Sequence, residues 1–264
     1  MAVLPPGTLL QLMYLRNRMR KIPPGQFIEI GPGSGEITQL LLDLGWSGCS
    51  YDLEEKTIET LKVRFSQEIA EQRFKPIHED FILSQFPGKV EKVDLVISSM
   101  VMEHLEDDTQ RAFMDKSDSV LRDGGRRIGL VPASPRHWGI EDDIAGHYRR
   151  YTRVSIDNLL AASNWKLSHI AGLTFPISNI LLPVSNFLVN RSERSKLTLS
   201  PLERTKQSGR RNVKFKTYFP NIFGFFLNEI YMLPIYLLQI LFRTSEKCLV
   251  LYFEAAPKIF KSKQ

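Results

Sequence analysis

The stretch FIEIGPGSGEIT, residues 27–38, decides the fold of this chain. Its apolar run stops at three glycines on alternate positions, Gly31, Gly33 and Gly35, and an apolar helical pattern begins at Glu36. This order of strand, tight turn and helix places bare backbone beside the unpaired N–H groups of a helix start. The stretch therefore predicts a binding turn for an anionic or carboxylate-bearing ligand.

Composition narrows the class of protein. With 264 residues, 43% of them hydrophobic, the chain can bury one large core or one domain with a sizeable elaboration. Cys49 and Cys248 have no metal-ligand or CxxC spacing, which predicts buried thiols in a reducing compartment. The net charge of +6 suits a nucleic acid or an anionic membrane surface equally. Because the basic residues do not form one block, we expect no nucleic-acid partner.

Residues 1–25 are predicted to hold an amphipathic helix, at about 8–21. Its apolar part precedes its positive residues, which is the reverse of a secretory signal, so we expect a cytoplasmic protein. This helix either caps the fold ahead of the first strand or acts at a membrane surface or as a substrate lid. Its apolar residues are Leu9, Leu12, Met13, Leu15 and Met19.

Beyond the glycine turn, apolar runs alternate with helical patterns. Strands are predicted at 48–53, 74–77, 93–99 and 127–131, and helices at about 36–45, 54–70 and 108–121. Asp123-Gly124-Gly125 is interpreted as the glycine stop of the last of these helices. The alternation predicts an α/β fold, with a Rossmann-like, doubly wound and largely parallel sheet.

The carboxyl ends of these strands carry the candidate binding residues. Ligands of such sheets bind at that edge, where Gly31, Asp52, Asp80, Ser98 and Pro132 would meet. Asp52 is placed to accept both hydroxyls of a ribose, or else it caps the following helix. Asp80 is placed to accept from an adenine amine with the neighbouring Phe81 against the ring, or else it is an ordinary turn acid.

Together these segments resemble the class I S-adenosylmethionine (SAM) methyltransferases of the methyltransferase type 11/12. The resemblance runs from Phe27 to about Trp165. It rests on the sequences EIGPGSG, YDL, HEDF, VDLVISS with the following EHL, and LRDGGRRIGLVPAS. The family ends in a sixth strand and an antiparallel seventh, which correspond here to 165–170 and 248–254.

The resemblance implies SAM as the cofactor and assigns its binding residues. Gly31, Gly33 and Gly35 would accommodate the methionine and ribose portions, and Asp52 the ribose hydroxyls. Asp80 and Phe81 would bind the adenine, and Ser98 would lie beside the methionine part. The neighbouring Glu29 and Leu53 complete the set of expected cofactor-binding residues.

Methyl transfer needs alignment of the acceptor and, for a hydroxyl acceptor, a general base. His147 is the first choice for that base and His104 the second, with structural histidines as the alternative. Tyr148 is the third candidate catalytic residue, and with Glu103 it would surround an amine acceptor. The segment GHYRRYT, residues 146–152, resembles a stretch of family members that act on complex carbohydrates or lipids.

Two neighbouring arginines have two interpretations. Arg149 and Arg150 would pair with a substrate phosphate or carboxylate, or they are solvated surface charges. No metal site is expected from the sequence.

About 75 residues separate the last two strands, where the family has few. Residues 174–245 are predicted to form a helical, hydrophobic insertion, while 26–173 and 246–258 form the SAM-binding domain. A basic linker, 191–216, divides the insertion. A single membrane crossing would put the seventh strand on the wrong side, so we expect helices that lie on the protein as a lid. Their apolar face would meet lipid or substrate, extend the core, or form a homodimer interface.

The sequence thus predicts a SAM-dependent methyltransferase. Its acceptor is expected to be the hydroxyl or amine of a hydrophobic, lipid or lipid-linked small molecule. We therefore expect a cytoplasmic protein that is peripherally attached to the inner membrane, where such an acceptor would be found. The alternatives are a non-catalytic SAM-binding or membrane-docking module and a nicotinamide-dependent oxidoreductase. The position of the third glycine and the Asp80-Phe81 pair argue against the oxidoreductase.

Overall fold

A seven-stranded sheet with strand order 3-2-1-4-5-7-6 organises the chain. It is seen in a computed structural model, which describes residues 3–85, 92–199, 203–204, 213, 217 and 219–258. The strands are β1 (Gln26–Ile30), β2 (Ser47–Asp52), β3 (Phe74–His78), β4 (Val93–Ser99), β5 (Leu121–Pro132), β6 (Trp165–Leu173) and β7 (Val250–Pro257).

Helices flank the sheet. They are α1 (Pro6–Met19), α2 (Glu36–Asp43), α3 (Glu55–Arg64), α4 (Ser66–Ala70), α5 (Asp107–Val120), α6 (Ile140–Ala145), α7 (Arg153–Ala162), α8 (Ile177–Glu193) and α9 (Glu229–Leu241). Short 3-10 turns occupy Met102–His104, Pro135–His137, Arg194–Thr198 and Asn221–Phe225.

The first five strands are parallel and the seventh is antiparallel to both of its neighbours. β1 pairs with β2 and β4, and β7 lies between β5 and β6. This confirms the predicted Rossmann-like sheet and its antiparallel last strand. Since β1 is central, its apolar residues are covered on both faces: Phe27 and Ile28 are fully buried, one on each side of the sheet.

Two predicted boundaries differ from the structure. The helix expected over 54–70 is two helices, α3 and α4, because the chain turns at Phe65, whose fully buried ring packs edge-on against Phe74. The predicted glycine stop is wrong: α5 ends at Val120 and β5 begins at the next residue. Gly124, with φ +77°, instead forms a bulge within β5, where pairing with β4 shifts register.

The N-terminal helix is part of the fold. Tyr14 of α1 hydrogen-bonds His169 of β6 at 2.8 Å, and Arg18 donates to Glu254 of β7 at 2.6 Å. Tyr252 donates to the same carboxylate at 2.7 Å. These contacts anchor α1 on the last two strands and favour the interpretation in which it caps the fold.

Helices also fill the interval between β6 and β7. α9 packs on α1 through Met232, Ile235 and Tyr236, while α8 extends along α6. Residues 200–202, 205–212 and 214–216 of the predicted basic linker lie outside the described residues. Within the described part of the chain, no helix is both long and apolar enough to span a membrane.

Candidate active site

A cleft of about 1930 Å³ opens at the carboxyl edge of the sheet. Its walls come from the ends of the first five strands, from α1 and α8, and from the segments that follow β4 and β5. Both cysteines are buried and free, as predicted.

The glycine turn forms one wall of this cleft. Gly31 and Gly33 line it with φ values of +69° and +54°, a conformation that side-chain-bearing residues rarely adopt. Gly31 donates its N–H to Tyr51 of β2 at 3.0 Å, and a Cβ there would lie 2.6 Å from a methyl group of Val101. The predicted exposure of bare backbone to a ligand is therefore present at these two positions.

Gly35 has a different role from the predicted one. It does not line the cleft, and a Cβ at this position would lie 2.7–2.8 Å from the side chains of Phe65 and Leu61. Its φ of +86° also sets the entry of the chain into α2. Close packing of α2 on α3 thus requires this glycine.

Glu29 is buried beneath the turn, at the cleft wall. Its carboxylate accepts a hydrogen bond from the Thr38 hydroxyl at 2.5 Å, which ties β1 to α2. Burial raises the pKa of Glu29 to about 7, although the Thr38 hydrogen bond opposes the rise.

The two predicted carboxylates lie on the cleft at the ends of neighbouring strands. Asp52 is the last residue of β2 and accepts the Glu54 N–H at 2.8 Å, and Asp80, which follows β3, accepts the Ile82 N–H at 2.8 Å. Each acid therefore fixes its own turn. Asp80 is a turn acid, as its alternative predicted, whereas Asp52 does not cap α3, whose N-cap is Glu54. Both also line the cleft, so the turn hydrogen bond and a ligand contact are compatible.

Two apolar residues accompany these acids. Leu53, 45% exposed, lines the cleft beside Asp52. Phe81 is nearly buried and packs edge-on between Tyr51 and Phe113, with ring centroids 5.5 and 5.8 Å away. Only the rim of the Phe81 ring therefore reaches the cleft.

Ser98 is not at the cleft, which corrects the prediction for this residue. Its side chain turns into the core and accepts a hydrogen bond from Arg127 at 3.2 Å. The next residue, Ser99, lines the cleft instead, because successive side chains of a strand point to opposite faces.

The segments EHL and GHYRRYT, which follow β4 and β5, are held together across the cleft edge. Tyr148 N–H donates to the Glu103 carbonyl at 2.8 Å, and the Tyr151 hydroxyl donates to the Met102 carbonyl at 3.0 Å. Arg149 donates to the Leu105 carbonyl at 3.0 Å. The sequence did not predict this joining, because the two segments are about 45 residues apart.

Four titratable side chains meet where these segments join. His147 Nδ1 donates to Asp142 Oδ1 at 2.8 Å, and its Nε2 lies 3.9 Å from Glu103 Oε1. The His104 ring stands edge-on to that of His147, with centroids 4.7 Å apart. All but Asp142 line the cleft. Both predicted candidate bases therefore lie in one cluster.

The two carboxylates of this cluster differ in their pKa. Burial raises the pKa of Glu103 to about 7, against the opposing effect of His147. Burial acts in the same sense on Asp142, but hydrogen bonds from His147 and Arg150 outweigh it and lower the pKa of Asp142. An ionised Asp142 can only accept, so it keeps the proton of His147 on Nδ1 and turns Nε2 toward the cleft.

Tyr148 and the two arginines surround the cluster. Tyr148 is 46% exposed, lines the cleft, and donates its hydroxyl to Glu106 at 3.0 Å. Arg149 pairs with Asp107 at 2.5 Å, and Arg150 pairs with Asp142 at 2.8 Å. Neither arginine is the solvated charge that the structural alternative proposed, since both brace the segment that carries His147.

Asp142 and the buried state of Glu103 were not predicted. Asp142 stands in a run of three acids on α6, five residues before His147, and sequence alone gives no reason to prefer it to its neighbours. α6 selects it, because it is the only one of the three acids that is fully buried, and its other oxygen accepts the N–H of Gly139 at 2.9 Å.

The strand order, the glycine turn and the acid-lined edge define a class I SAM-dependent methyltransferase, and its cofactor is SAM. More narrowly, the chain belongs to the methyltransferase-domain family Methyltransf_23, whose model matches residues 9–170. The predicted class and enzyme activity are thus confirmed, with family model 23 in place of type 11/12. No curated protein sequence matches the chain.

Solved structures share the fold at low sequence identity. The glycopeptide N-methyltransferase MtfA has a TM-score of 0.53 at 11% identity, over 94% of this chain and 89% of its own. Magnesium protoporphyrin IX methyltransferase (ChlM) from Synechocystis PCC 6803, with bound S-adenosylhomocysteine (SAH), has 0.52 at 15% identity, over 64% and 77%. The methyltransferase domain of bacterial CtHen1 has 0.51 at 14%, over 63% and 90%.

Proposed function

We propose that this methyltransferase acts on a hydroxyl or amine of a hydrophobic, lipid or lipid-linked small molecule. The observation that carries the proposal is the continuity of the cleft. The glycine turn, Asp52 and Asp80 line the same cleft as apolar side chains of α1 and α8. The His147 cluster lies along the same cleft, so cofactor, acceptor and base would share one space.

The polar part of the cleft lining fits SAM. Bare backbone at Gly31 and Gly33 leaves room for a ligand to approach the turn. The carboxylate of Asp52 suits ribose hydroxyls, and that of Asp80 suits an adenine amine, because both groups donate hydrogen bonds. Leu53 and the rim of Phe81 would contact the nucleoside, while Glu29 supports the turn from beneath.

The apolar part of the cleft lining favours an apolar acceptor. Leu12 and Leu15 of α1 and Leu181, Leu182 and Val184 of α8 belong to it. An apolar wall of this kind gains free energy from an apolar ligand at about 25 cal/mol per Å² removed from water. The wall consists of the N-terminal helix and the insertion, which supports the predicted lid role of the insertion.

When bound, SAM supplies an electrophilic methyl group: the acceptor lone pair forms the new bond to carbon as the S–C bond pair passes to sulfur, leaving SAH. A hydroxyl acceptor must also lose its proton. His147 Nε2 is placed to take that proton, and Asp142 stabilises the imidazolium that results. Tyr148 and His104, which line the same cleft, would contact the acceptor near His147.

Exposed apolar side chains support peripheral membrane attachment. Ile180 and Phe187, 67% and 65% exposed, lie seven residues apart on one face of α8. On α9, Ile230, Leu233, Leu237 and Leu241 form a second exposed stripe, opposite the side that packs on α1. Arg191 and Arg194 at the end of α8 add positive charge. An anionic lipid surface offers both apolar and charged complements to these stripes.

The acceptor class can be tested by turnover. Lipid and small-molecule extracts are incubated with the protein and isotopically labelled SAM, and labelled products are identified by mass spectrometry. We expect label in an apolar fraction, and label only in polar metabolites would refute the proposed acceptor class.

The base is tested separately. His147→Ala should reduce turnover at least about 100-fold, the usual size of a general-base contribution, with SAM affinity by calorimetry changed less than about twofold. His137→Ala, a histidine outside the cleft lining, is the matched control. Full activity of His147→Ala would exclude the base role.

A further inference from the structure

Glu103 presents a buried carboxylate that its surroundings leave unsatisfied. The residue is fully buried, and neither oxygen has a hydrogen-bond partner among the described residues. A buried carboxylate in that state is costly, because its lost hydration is not replaced. The nearest charged or chargeable group is the His147 ring, whose Nε2 is 3.9 Å from Oε1, beyond hydrogen-bond distance.

Two imidazoles face the same point. Glu103, His104 and His147 each offer one ligand atom, and these three atoms lie within 4.8 Å of one another. They come from two segments that the Tyr148–Glu103 backbone hydrogen bond holds together. Neighbouring ligand atoms of a cation bound at about 2.0–2.2 Å are separated by about 3–4 Å, so modest closure of the three side chains suffices.

Asp142 adds the outer support that such sites need. A metal-binding histidine almost always donates its second ring N–H to a carboxylate or carbonyl, which fixes the tautomer and aims the other nitrogen at the ion. His147 donates Nδ1–H to Asp142 at 2.8 Å, and Arg150 and the Gly139 N–H hold that carboxylate in turn. A histidine kept only for packing would need no such aim at a second, unpaired carboxylate.

We propose that Glu103, His104 and His147 bind a divalent first-row transition-metal ion at the cleft. Two imidazoles and one carboxylate favour Zn²⁺, Fe²⁺, Co²⁺ or Mn²⁺ over Mg²⁺ or Ca²⁺, which prefer all-oxygen sites. Three protein ligands leave further coordination positions, and all three residues line the cleft, so those positions open toward it.

The ion would have a direct use in the reaction, and this part rests on the proposed function. An acceptor oxygen that coordinates the ion is fixed in place, and its proton is lost more readily. The proton would then pass to solvent, because the ion would occupy His147 Nε2. Metal binding and proton abstraction are thus mutually exclusive uses of the same nitrogen.

Metal binding is tested on the full chain, freed of any affinity tag and of metal by chelation. Titration with Co²⁺, followed by visible absorption, and with Zn²⁺, followed by calorimetry, should show one ion per chain. Glu103→Gln, His104→Ala and His147→Ala should each weaken binding at least tenfold. Asp142→Asn should weaken it about 10- to 100-fold as a positioning residue. His137→Ala serves as the matched control and should bind like the unmodified protein.

The thermal unfolding temperature of each variant shows whether it folds. If His147→Ala does not fold, the nearly isosteric Glu103→Gln variant provides the test. Absence of stoichiometric Co²⁺ and Zn²⁺ binding, or binding that Glu103→Gln leaves unchanged, would overturn the proposal. The readout needs neither SAM nor an acceptor. Failure of the metal proposal can therefore be distinguished from failure of the proposed acceptor class. Turnover that persists in excess chelator would remove the ion from the reaction and leave the base role of His147.

Discussion

Asp52 combines two tasks in one side chain. Its Oδ1 accepts the Glu54 N–H at 2.8 Å and so shapes the start of α3, and the residue also faces the cleft. The sequence offered ribose binding and capping of α3 as alternatives for Asp52. Glu54 is the N-cap of α3 instead, and the turn contact of Asp52 is compatible with its place on the cleft. A carboxylate at this place can hold a turn and still bind a ribose.

Replacing Asp52 separates the two tasks. Asp52→Asn keeps a carbonyl oxygen for the turn, and Asp52→Ala removes it; both remove the charge. We expect both variants to bind SAM at least tenfold more weakly. A hydrogen bond to a charged group contributes about 1.5–3 kcal/mol, and about 1.4 kcal/mol corresponds to a tenfold change in the dissociation constant. Calorimetry with SAM measures this, with the exposed Asp43→Ala as the control. An unchanged dissociation constant in Asp52→Asn would remove Asp52 from the site.

Glu29 makes stability depend on pH. Burial raises its pKa to about 7 in the folded protein from the ordinary 4.5, so the folded state binds the proton more tightly than the unfolded state. The stability it contributes is complete below pH 4.5 and is lost as pH rises through 7. A shift of this size corresponds to at most about 3 kcal/mol at pH 8.

Glu29→Gln mimics the protonated acid at every pH. Without SAM, this variant should therefore gain stability relative to the unmodified protein as pH rises from 5 to 8. Denaturant unfolding at several pH values gives the difference in free energy. If the two proteins keep a constant difference across this range, Glu29 does not titrate as the structure indicates.

The α9 helix belongs to two environments. Its Met232 side packs on α1, while Leu237 and Leu241 are 58% and 72% exposed on the other side. Monomeric proteins rarely expose a large continuous apolar face unless it binds something. The exposed side is therefore the natural place to test membrane attachment without disturbing the core.

The double variant Leu237→Gln/Leu241→Gln should bind anionic vesicles about tenfold more weakly, because two partly exposed leucines no longer enter the lipid. Sedimentation with phosphatidylglycerol-containing and neutral vesicles measures this. Val63→Gln/Val154→Gln, two valines that are 80% and 69% exposed elsewhere, is the control. An unmodified protein that stays in the supernatant at low salt contradicts membrane attachment, and a dimer that the double variant disrupts would identify a second copy as the occupant.

Local pattern was a reliable guide to some elements and not to others. The β1 turn and the buried β4 strand were predicted closely, since an apolar run between turn residues has few other uses. The Gly124 bulge was taken for a helix stop because a glycine after a helical pattern fits both. Tertiary pairing with β4 decides between them, and no short stretch of sequence contains that information.

The cleft lining was predictable from the sequence where strands end and only in part where the two later segments dock. Motif spacing located Gly31, Asp52 and Asp80, because each closes a strand of a known kind of sheet. The prediction named Ser98 where Ser99 lines the cleft. Because the side chains of a strand alternate between its two faces, an error of one residue places the side chain on the opposite face. The pairing of His147 with Asp142 and its approach to Glu103 depend on how two distant segments dock, so sequence could suggest the histidine and not its partners.

The position of β7 has a consequence for how the chain reaches its native state. β7 lies between β5 and β6, yet the chain makes it after the insertion is complete. Among the described residues, β6 pairs with β7 alone, so it has to wait for its partner through the synthesis of the next 76 residues, Thr174 to Leu249. During ribosomal synthesis the apolar helices of the insertion therefore emerge before the sheet can close, and a chaperone or a nearby bilayer has the first opportunity to cover them.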